Sequence, residues 1–214
     1  MIIAVDGPTA SGKGTISKQL ARHFALPFLD TGLLYRAVGW TLSEQGGDAD
    51  NAADALAACD FAGSLLDNPD LRSEVIGGLA SRVSVHPQVR QALDKRQKDF
   101  AYQPGGAVLD GRDIGTVIAP DADVKIFVTA SAEARAVRRY EEMRQRGEQV
   151  NFDDILADIL ARDERDRNRA TAPLKPAEDA DLLDTTDLTI DAAIQQAIAL
   201  VNAKTSGRRD KDPA

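Results

Sequence analysis

The sequence contains one cysteine, two histidines and no apolar run that approaches the length of a membrane span. The single cysteine, Cys59, excludes an internal disulfide and fits a reducing compartment, so we expect a cytoplasmic protein. Two distant histidines make a histidine metal site unfavourable. A membrane-spanning helix needs about 20 consecutive apolar residues, and the first residues lack the basic flank and cleavage site of a signal peptide. We therefore expect no membrane association.

The chain also lacks an excess of positive charge. Its formal net charge is −8, which argues against binding to nucleic acid. The 214 residues, of which 43% are hydrophobic and 28% charged, suffice for one substantial domain with a packed core. Nine arginines nevertheless lie between Arg135 and Arg169. They fit either a solvated helical face with ion pairs or a site that handles phosphate groups.

Strand-like and helix-like segments alternate along the chain. Short apolar runs rich in β-branched residues predict strands at 2–5, 26–29, 107–110, 124–128 and 181–184. Apolar residues recurring every three or four positions predict helices at 12–24, 31–47, 87–102, 131–147, 151–169 and 189–203. This alternation predicts an α/β fold with a five-stranded parallel sheet and helices on both faces.

Two segments depart from this alternation. Between residues 48 and 85 the helical pattern is interrupted by Pro69 and by the Gly77-Gly78 pair, so we expect an insert made of short helices. The polar segment at 204–214 is predicted to be a disordered tail.

The stretch "AVDGPTASGKGT" at residues 4–15 follows the first predicted strand and opens the first helix. Its glycines let backbone N–H groups face an anion at the helix N-terminus, and Lys13 can reach the β- and γ-phosphates of a nucleotide. Gly14, however, occupies the place where a phosphate-binding loop usually has Ser or Thr. We expect Thr15, one place later, to supply the hydroxyl near a magnesium ion. An ordinary Gly-rich turn is the alternative interpretation.

Two further stretches follow predicted strands, "DTGLLYR" at 30–36 and "DGRDIGT" at 110–116. The carboxyl ends of parallel strands meet at one edge of a sheet, where such folds bind ligands. Asp110 can act as a Walker B carboxylate that binds Mg²⁺ or its waters, and Arg112 can hold a phosphate group through two parallel hydrogen bonds. A helix cap and a surface turn are the plainer alternatives.

The stretch "ARDERDRNR" at 161–169 places Arg162, Asp166 and Arg169 at positions i, i+4 and i+7 of a predicted helix, on one face. Arginine side chains commonly stabilise the charge that develops during phosphoryl transfer. On a segment that closes over the site, they would also exclude water.

Together, "GPTASGKGT", "LDTGLLYR", "LDGRDIGT" and "RDERDRNRATAPL" resemble the bacterial cytidylate kinases, a family of P-loop nucleoside monophosphate (NMP) kinases. The resemblance runs from residue 1 to about residue 200. It implies a three-layer P-loop NTPase fold in a single kinase domain at 1–203, with an NMP-binding insert at about 48–103 and a helical lid at about 140–155. It further implies a monomer that uses ATP and Mg²⁺ to convert CMP and dCMP to CDP and dCDP.

The resemblance also implies functional residues. Asp113 and Ser81 would accept a hydrogen bond from the cytosine amine, and Arg90 would donate to N3 and O2 of the base. Arg36 and Arg112 would hold the CMP phosphate. Arg162 and Asp166 would contact the sugar, and Arg169 would lie at the transfer site or the sugar.

The implied ATP-binding residues are Gly7, Pro8, Thr9, Ala10, Ser11, Gly12, Lys13, Gly14 and Thr15. The implied substrate-binding residues are Asp30, Thr31, Arg36, Ser81, Arg90, Arg112, Asp113, Arg162, Asp166 and Arg169. The implied catalytic residues are Lys13, Arg112, Arg162 and Arg169, and the implied metal ligands, directly or through water, are Thr15 and Asp110.

One segment departs from the family pattern. The insert after Phe61 is too short for the small β-sheet expected there, which puts in doubt the range of closure and the choice between ribose and deoxyribose. Two other functions stay open: another P-loop small-molecule kinase, such as a shikimate or adenylate kinase, and an NTP-binding switch with little turnover. A switch usually carries an "NKxD" stretch for guanine, and this sequence has none.

Overall fold

A computed structural model describes residues 1–209 of the chain. The strands are β1 Ile2–Asp6, β2 Phe28–Asp30, β3 Ala107–Gly111, β4 Val124–Thr129 and β5 Asp181–Asp184. The α-helices are α1 Lys13–His23, α2 Thr31–Glu44, α3 Ala52–Ala57, α4 Glu74–Val83, α5 Pro87–Ala101, α6 Ala132–Gln145, α7 Phe152–Asn168 and α8 Ile190–Arg209. Two 3₁₀ turns span Gly63–Asp67 and Pro69–Arg72, and a π-helical turn spans Ile114–Ile118.

The five strands form one parallel sheet in the order β2-β3-β1-β4-β5. The predicted α/β class, the strand number and the parallel arrangement are confirmed, although β2 begins two residues later than its apolar run. Because the strands are parallel, their carboxyl ends share one edge. Asp6, Asp30 and Asp110 therefore lie at the same edge, where β1, β2 and β3 end.

Residues of β1 alternate between the two faces of the sheet, as the period of a strand requires. Ile3 and Val5 are fully buried in a cluster with Leu20 of α1 and Val201 of α8. Ala4 is fully buried in the cluster on the opposite face, which includes residues of β3 and α5. A strand buried on both faces needs apolar residues at consecutive positions, and "IIAV" supplies them.

The elements of the insert at 48–103 are all helical: α3, two 3₁₀ turns, α4 and α5, joined by short turns. Its apolar residues pack against α2, where Val38 and Leu42 share a cluster with Ala80 and Val83 of α4. A Cβ atom on Gly39 of α2 would lie 3.0 Å from Leu79 Cβ, so a glycine there lets the two helices approach closely. The insert therefore packs directly on the helix that starts at the end of β2.

The last helix is longer than the sequence predicts. α8 continues to Arg209, so residues 204–209, predicted to be disordered, are helical. The rest of that predicted tail, residues 210–214, lies outside the described residues. Within the described chain, no helix has the length and apolar character needed to cross a membrane.

The helices α6 and α7 form a hairpin that is anchored by a buried ion pair. Arg135 of α6 donates two hydrogen bonds to the carboxylate of Asp163 of α7, at 3.0 and 2.7 Å. The same guanidinium donates to Ala130 O at 3.0 Å and to Thr9 O at 3.2 Å. Arg135 therefore connects the base of the hairpin to the loop that follows β1.

We expect Asp163→Ala to lower the free energy of unfolding by about 3–5 kcal/mol, because the variant leaves the Arg135 charge buried without its partner. Urea unfolding at neutral pH measures this loss. The matched control is Asp99→Ala, which removes an exposed carboxylate paired with Lys95 and should cost less than about 1 kcal/mol. Equal losses for the two variants would contradict the structural role of the buried pair.

Candidate active site

The Gly-rich loop lies between β1 and α1, at the carboxyl edge of the sheet. A Cβ atom on Gly7 would lie 2.0 Å from Val128 O, so only glycine lets the loop rest against the end of β4. Gly12 precedes α1 in a left-handed conformation, with φ of 87°, which is favourable for glycine. The loop therefore presents the N-terminus of α1, where an anion is stabilised by free N–H groups and the helix dipole.

Lys13 is held at the start of α1 by two oxygen atoms. Its Nζ donates to Pro8 O at 3.4 Å and lies 3.7 Å from Oδ1 of Asp110. Burial, followed by the charge of Arg112, lowers the pKa of Lys13. Burial raises the pKa of Asp110 to about 6, against the opposing effect of Lys13. A lysine and a carboxylate, both poorly solvated, thus face each other beside the loop.

Gly14 is explained by the position of Asp110. A Cβ atom at residue 14 would lie 3.2 Å from Oδ2 of Asp110, closer than an ordinary contact. The hydroxyl of Thr31 donates to Asp110 O at 2.8 Å and holds the end of β3 from the other side. The departure from the usual loop pattern therefore makes room for the carboxylate at the end of β3.

Asp6, at the end of β1, holds the turn that follows β3. Its two carboxylate oxygens accept hydrogen bonds from the backbone N–H groups of Ile114 and Gly115, each at 2.8 Å. Burial raises the pKa of Asp6 to about 7, and the two backbone donors oppose that rise. Asp6 was not among the predicted site residues, because a lone carboxylate at the end of an apolar strand has no spacing signal.

Asp113 lies in this turn between two arginines from distant parts of the chain. One carboxylate oxygen pairs with Arg90 of α5, and the other lies 3.5 Å from Nη2 of Arg169. All three side chains are buried. The guanidinium of Arg90 also stands over the ring of Tyr35, at 5.5 Å from its centroid. The Asp113 carboxylate is therefore a buried hydrogen-bond acceptor, and the guanidinium groups of Arg90 and Arg169 are donors of fixed orientation beside it.

The arginines of α2 and α7 already have partners. Arg36 donates to Leu71 O at 2.7 Å and to Ser73 O at 2.9 Å. Arg162 donates to Gly77 O of the insert at 3.1 Å. Burial lowers the pKa of Arg36 to about 10, with the charge of Arg162 next in effect. Both guanidinium groups are thus fixed in place before any anion arrives.

Asp166 and Arg169 complete the group from α7. Arg112 Nε lies 3.1 Å from Oδ2 of Asp166. The prediction that Arg169 lies on the same helix as Arg162 and Asp166 is wrong. Helix α7 ends at Asn168, and Arg169 is extended, with ψ of 139°. Arg169 Nε donates to Ala172 O at 2.6 Å, which holds the side chain toward the site from outside the helix.

These residues surround one cavity of about 310 Å³. All ten predicted substrate-binding residues line it: Asp30, Thr31, Arg36, Ser81, Arg90, Arg112, Asp113, Arg162, Asp166 and Arg169. Lys13, Gly14 and Asp110 line it as well. Residues from β2, β3, α2, α4, α5 and α7 therefore converge on one space beside the loop.

A second cavity, of about 300 Å³, lies on the other side of the loop. Ser11, Gly12 and Thr15 line it, so Thr15 does not share a cavity with Asp110, the other predicted metal ligand. Ala10 lines both cavities, whereas Gly7 and Pro8 line neither. The walls away from the loop expose mainly apolar surface. Their apolar residues are Ile16, Leu188, Ile190 and Ala193, and their polar residues are Arg138, Arg139, Glu142, Thr185 and Thr189.

Three residues that sequence reasoning did not assign also contact this region. Tyr35 and Arg139 line the main cavity, and Arg165 Nε donates to Oγ of Ser81 at 3.2 Å. Tyr35 follows Thr31 by four residues, so helical spacing could have placed it on the same face as a residue of the site. Arg139 has no such signal, because Arg135, four residues before it, is not a residue of the site.

The fold and the site together define a class. A parallel sheet whose central strand runs into a phosphate-binding loop and its lysine, with arginines converging from helices on either side, is the architecture of a P-loop kinase. A crystal structure of an uncharacterised protein from Eubacterium ventriosum shares the fold. Its TM-score is 0.56, at 15% sequence identity, over 95% of this chain and 99% of that one.

The particular family follows from sequence similarity. The profile of the family described as Cytidylate kinase matches residues 3–203. A protein from Rhodopseudomonas palustris named cytidylate kinase is 55% identical, over 98% of this chain and 99% of its own length. Another of that name, from Methylocella silvestris, is 54% identical over the full length of both. The chain belongs to the cytidylate kinase family.

Asp6 generates a prediction about stability and pH. Its pKa is about 7 in the folded chain, against an ordinary value of 3.8. Between pH 3.8 and pH 7, Asp6 is therefore protonated in the folded state and ionised in the unfolded state. The stability that this proton provides is full below about pH 4 and is lost as pH rises through 7.

We expect the unfolding free energy of the wild type, minus that of Asp6→Asn, to fall by up to about 4 kcal/mol from pH 4 to pH 8. Urea unfolding across this range measures it. A difference that does not vary with pH would contradict a raised pKa for Asp6.

Proposed function

We propose that this protein transfers the γ-phosphoryl group of ATP to CMP and dCMP, giving CDP and dCDP. The observation that carries the proposal is the convergence of all ten predicted substrate-binding residues on one cavity beside Lys13. Membership of the cytidylate kinase family supports the same substrates.

The acceptor nucleotide fits the main cavity with its phosphate near the loop. Arg36 and Arg112 would hold that phosphate, because a guanidinium group matches phosphate oxygens with parallel hydrogen bonds. Arg162 and Asp166 lie on the adjoining wall and would contact the sugar, with Arg169 beside them.

The far end of the cavity is suited to cytosine. Asp113 and Ser81 offer oxygen acceptors for the exocyclic amine, and Arg90 offers donors for N3 and O2. Two arginines already fix the Asp113 carboxylate, which retains lone pairs for a further bond. Uracil has a carbonyl in place of that amine and would leave the carboxylate facing another acceptor.

ATP would bind through the loop. The N–H groups of residues 7–15 would bind its phosphates, as at other helix N-termini, and Lys13 would reach the transferred group. The largely apolar second cavity beside Thr15 has the size and walls to take the adenosine part. Donor and acceptor would then approach the loop from opposite sides.

The reaction that this arrangement supports is an in-line transfer. An oxygen of the CMP phosphate attacks the γ-phosphorus, the new P–O bond forms, and the bond to ADP breaks. That oxygen is already anionic near neutral pH, so no strong base is needed. Lys13, Arg112, Arg162 and Arg169 would stabilise the charge of the transition state. The α6–α7 hairpin, whose tip at about 140–155 is the proposed lid, would exclude water.

A magnesium ion fits the residues present. Mg²⁺ prefers oxygen ligands and commonly uses one or two carboxylates together with substrate phosphates. Asp110 provides a buried carboxylate at the cavity wall, 3.7 Å from Lys13 Nζ. Thr15 lines the neighbouring cavity, so Asp110, directly or through water, is the better placed of the two predicted ligands. The ion would offset phosphate charge during transfer.

The remaining assignments stand as proposals. We propose a single kinase domain at 1–203 that acts as a monomer in the cytoplasm, with the helices of 48–103 as its NMP-binding insert. Shikimate has no base for the Asp113–Arg90 pair to recognise. Adenine has an amine beside a ring nitrogen, as cytosine does, but it lacks the O2 carbonyl to which Arg90 would donate. A silent NTP-binding switch would not need the arginines that converge on the main cavity.

The central test is an ADP-release assay of the wild type with ATP, Mg²⁺ and a panel of CMP, dCMP, UMP, AMP and shikimate. We expect CMP and dCMP to stimulate ADP release at least tenfold more than the other acceptors. Stimulation by AMP or shikimate alone would identify the rival kinases, and no stimulation would leave the switch.

We expect Lys13→Ala to lower kcat by about 100-fold or more, because it removes a charge that stabilises the transferred group. Steady-state kinetics with CMP measures the loss. Lys18→Ala is the matched control, since Lys18 lies exposed on the same helix and should retain wild-type turnover. Near-normal turnover of Lys13→Ala would overturn the assigned mechanism.

We expect Asp113→Asn to lower kcat/KM for CMP by roughly 10- to 100-fold and to narrow the preference for CMP over UMP. An amide keeps the shape of the side chain but turns one acceptor into a donor. KM for ATP should stay within about twofold. Equal losses for CMP and ATP would show that Asp113 does not recognise the base.

A further inference from the structure

Among the described residues, Asp6 is the buried carboxylate at the sheet edge that has no part in the mechanism above. It is 6% exposed and does not line the main cavity. It therefore cannot act as a base toward a substrate oxygen. Its contacts lie entirely with the backbone of Ile114 and Gly115, which follow Asp113 directly.

These two contacts satisfy the start of the π-helical turn. The first N–H groups of a helical segment have no partner within it. Here the side chain of the preceding residue, Asp113, makes no cap, because its oxygens are engaged by arginines. The carboxylate of Asp6, 108 positions before Ile114, accepts the hydrogen bonds instead.

The contact requires close approach of two backbone segments. A Cβ atom on Gly115 would lie 3.4 Å from Oδ2 of Asp6 and 3.2 Å from Cδ of Lys125. Asp6 also directly precedes Gly7, the first residue of the phosphate-binding loop. One side chain thus fixes the turn of the acceptor site to the strand that carries the donor loop.

We propose that Asp6 is a positioning residue for the acceptor nucleotide. By accepting hydrogen bonds from the start of the turn at Ile114–Ile118, it fixes the positions of Arg112 and Asp113, which directly precede that turn. The inference rests on the proposed function, because it takes those two residues to bind the acceptor. It predicts a defect in acceptor binding that loss of stability alone does not produce.

The chain offers a matched control at the other end of the same strand. Asp123 accepts a hydrogen bond from the backbone N–H of Ile2 at 2.7 Å, through one carboxylate oxygen. Both carboxylates hold an end of β1, and that of Asp6 contacts the turn of the site through both of its oxygens. Asp6→Asn and Asp123→Asn therefore make the same chemical change at opposite ends of one element.

The test combines calorimetric titration with CMP, steady-state kinetics with ATP, and thermal unfolding. In Asp6→Asn, the side-chain oxygen can accept a hydrogen bond from one of the two backbone N–H groups. The side-chain NH₂ group then faces the other N–H group and cannot accept from it. We expect its Kd and KM for CMP to rise about tenfold, with KM for ATP within about twofold. Asp123→Asn should bind CMP as the wild type does, whatever its melting temperature.

Amide hydrogen exchange of the ligand-free protein provides a readout independent of any substrate. Ile114 and Gly115 should exchange at least tenfold faster in Asp6→Asn than in the wild type and in Asp123→Asn. Should Asp6→Asn fail to fold, Asp6→Glu takes its place, because it keeps the carboxylate but moves it by one methylene group, and it should raise Kd for CMP in the same direction.

The outcomes are distinguishable. Unchanged CMP binding by Asp6→Asn, or equal shifts in KM for CMP and ATP, would overturn the inference. A wild type that neither binds nor phosphorylates CMP would overturn the proposed function instead. In that case the exchange rates still decide whether Asp6 holds the turn.

Discussion

The burial of several carboxylates at one edge of the sheet is the constraint from which the arrangement of the site follows. Asp6, Asp110 and Asp113 are each no more than 6% exposed, and an unpaired buried charge is costly. Each has a different kind of partner: backbone N–H groups, a lysine, or a pair of arginines. Since these partners come from segments far apart in sequence, satisfying the carboxylates brings loop, turn, insert and hairpin together.

The positive groups obey the same constraint. Arg36 and Arg162 use backbone carbonyls of the insert as partners, at distances of 2.7–3.1 Å. Glu74 of α4 pairs with Arg139 of α6 and lies 3.9 Å from Arg162 of α7. Insert and hairpin are therefore connected through the guanidinium groups that line the cavity. A polyanion entering there would compete with the neutral carbonyls and with the carboxylates of Glu74, Glu142 and Asp158. Its phosphate oxygens can offer a guanidinium group two parallel hydrogen bonds.

Local pattern predicted the parts of this fold that local chemistry determines. The apolar run "IIAV" and the spacing of Gly7, Gly12 and Lys13 suffice for β1, the loop and the start of α1. The i, i+4 spacing of Arg162 and Asp166 placed both on the cavity. These features depend on residues within one or two turns of each other, and so they are visible in the sequence.

The features that sequence reasoning missed depend on tertiary contacts. Arg169 leaves its helix because its side chain bonds to Ala172 O, which no periodicity reveals. Residues 204–209 have a polar composition that resembles a tail, yet they extend α8. Asp6 gains its partners from residues 108 and 109 positions away. Resemblance to a family, rather than spacing, brought Ser81 and Arg90 into the expected site.

Gly14 has a consequence for how this loop can change over time. The Cβ of any other residue at position 14 would approach Oδ2 of Asp110 to 3.2 Å, so the two positions are sterically linked. A substitution that installed Ser or Thr after Lys13 would require the carboxylate at the end of β3 to shift by a few tenths of an ångström. Substitutions at positions 14 and 110 are therefore expected to depend on each other as this loop changes.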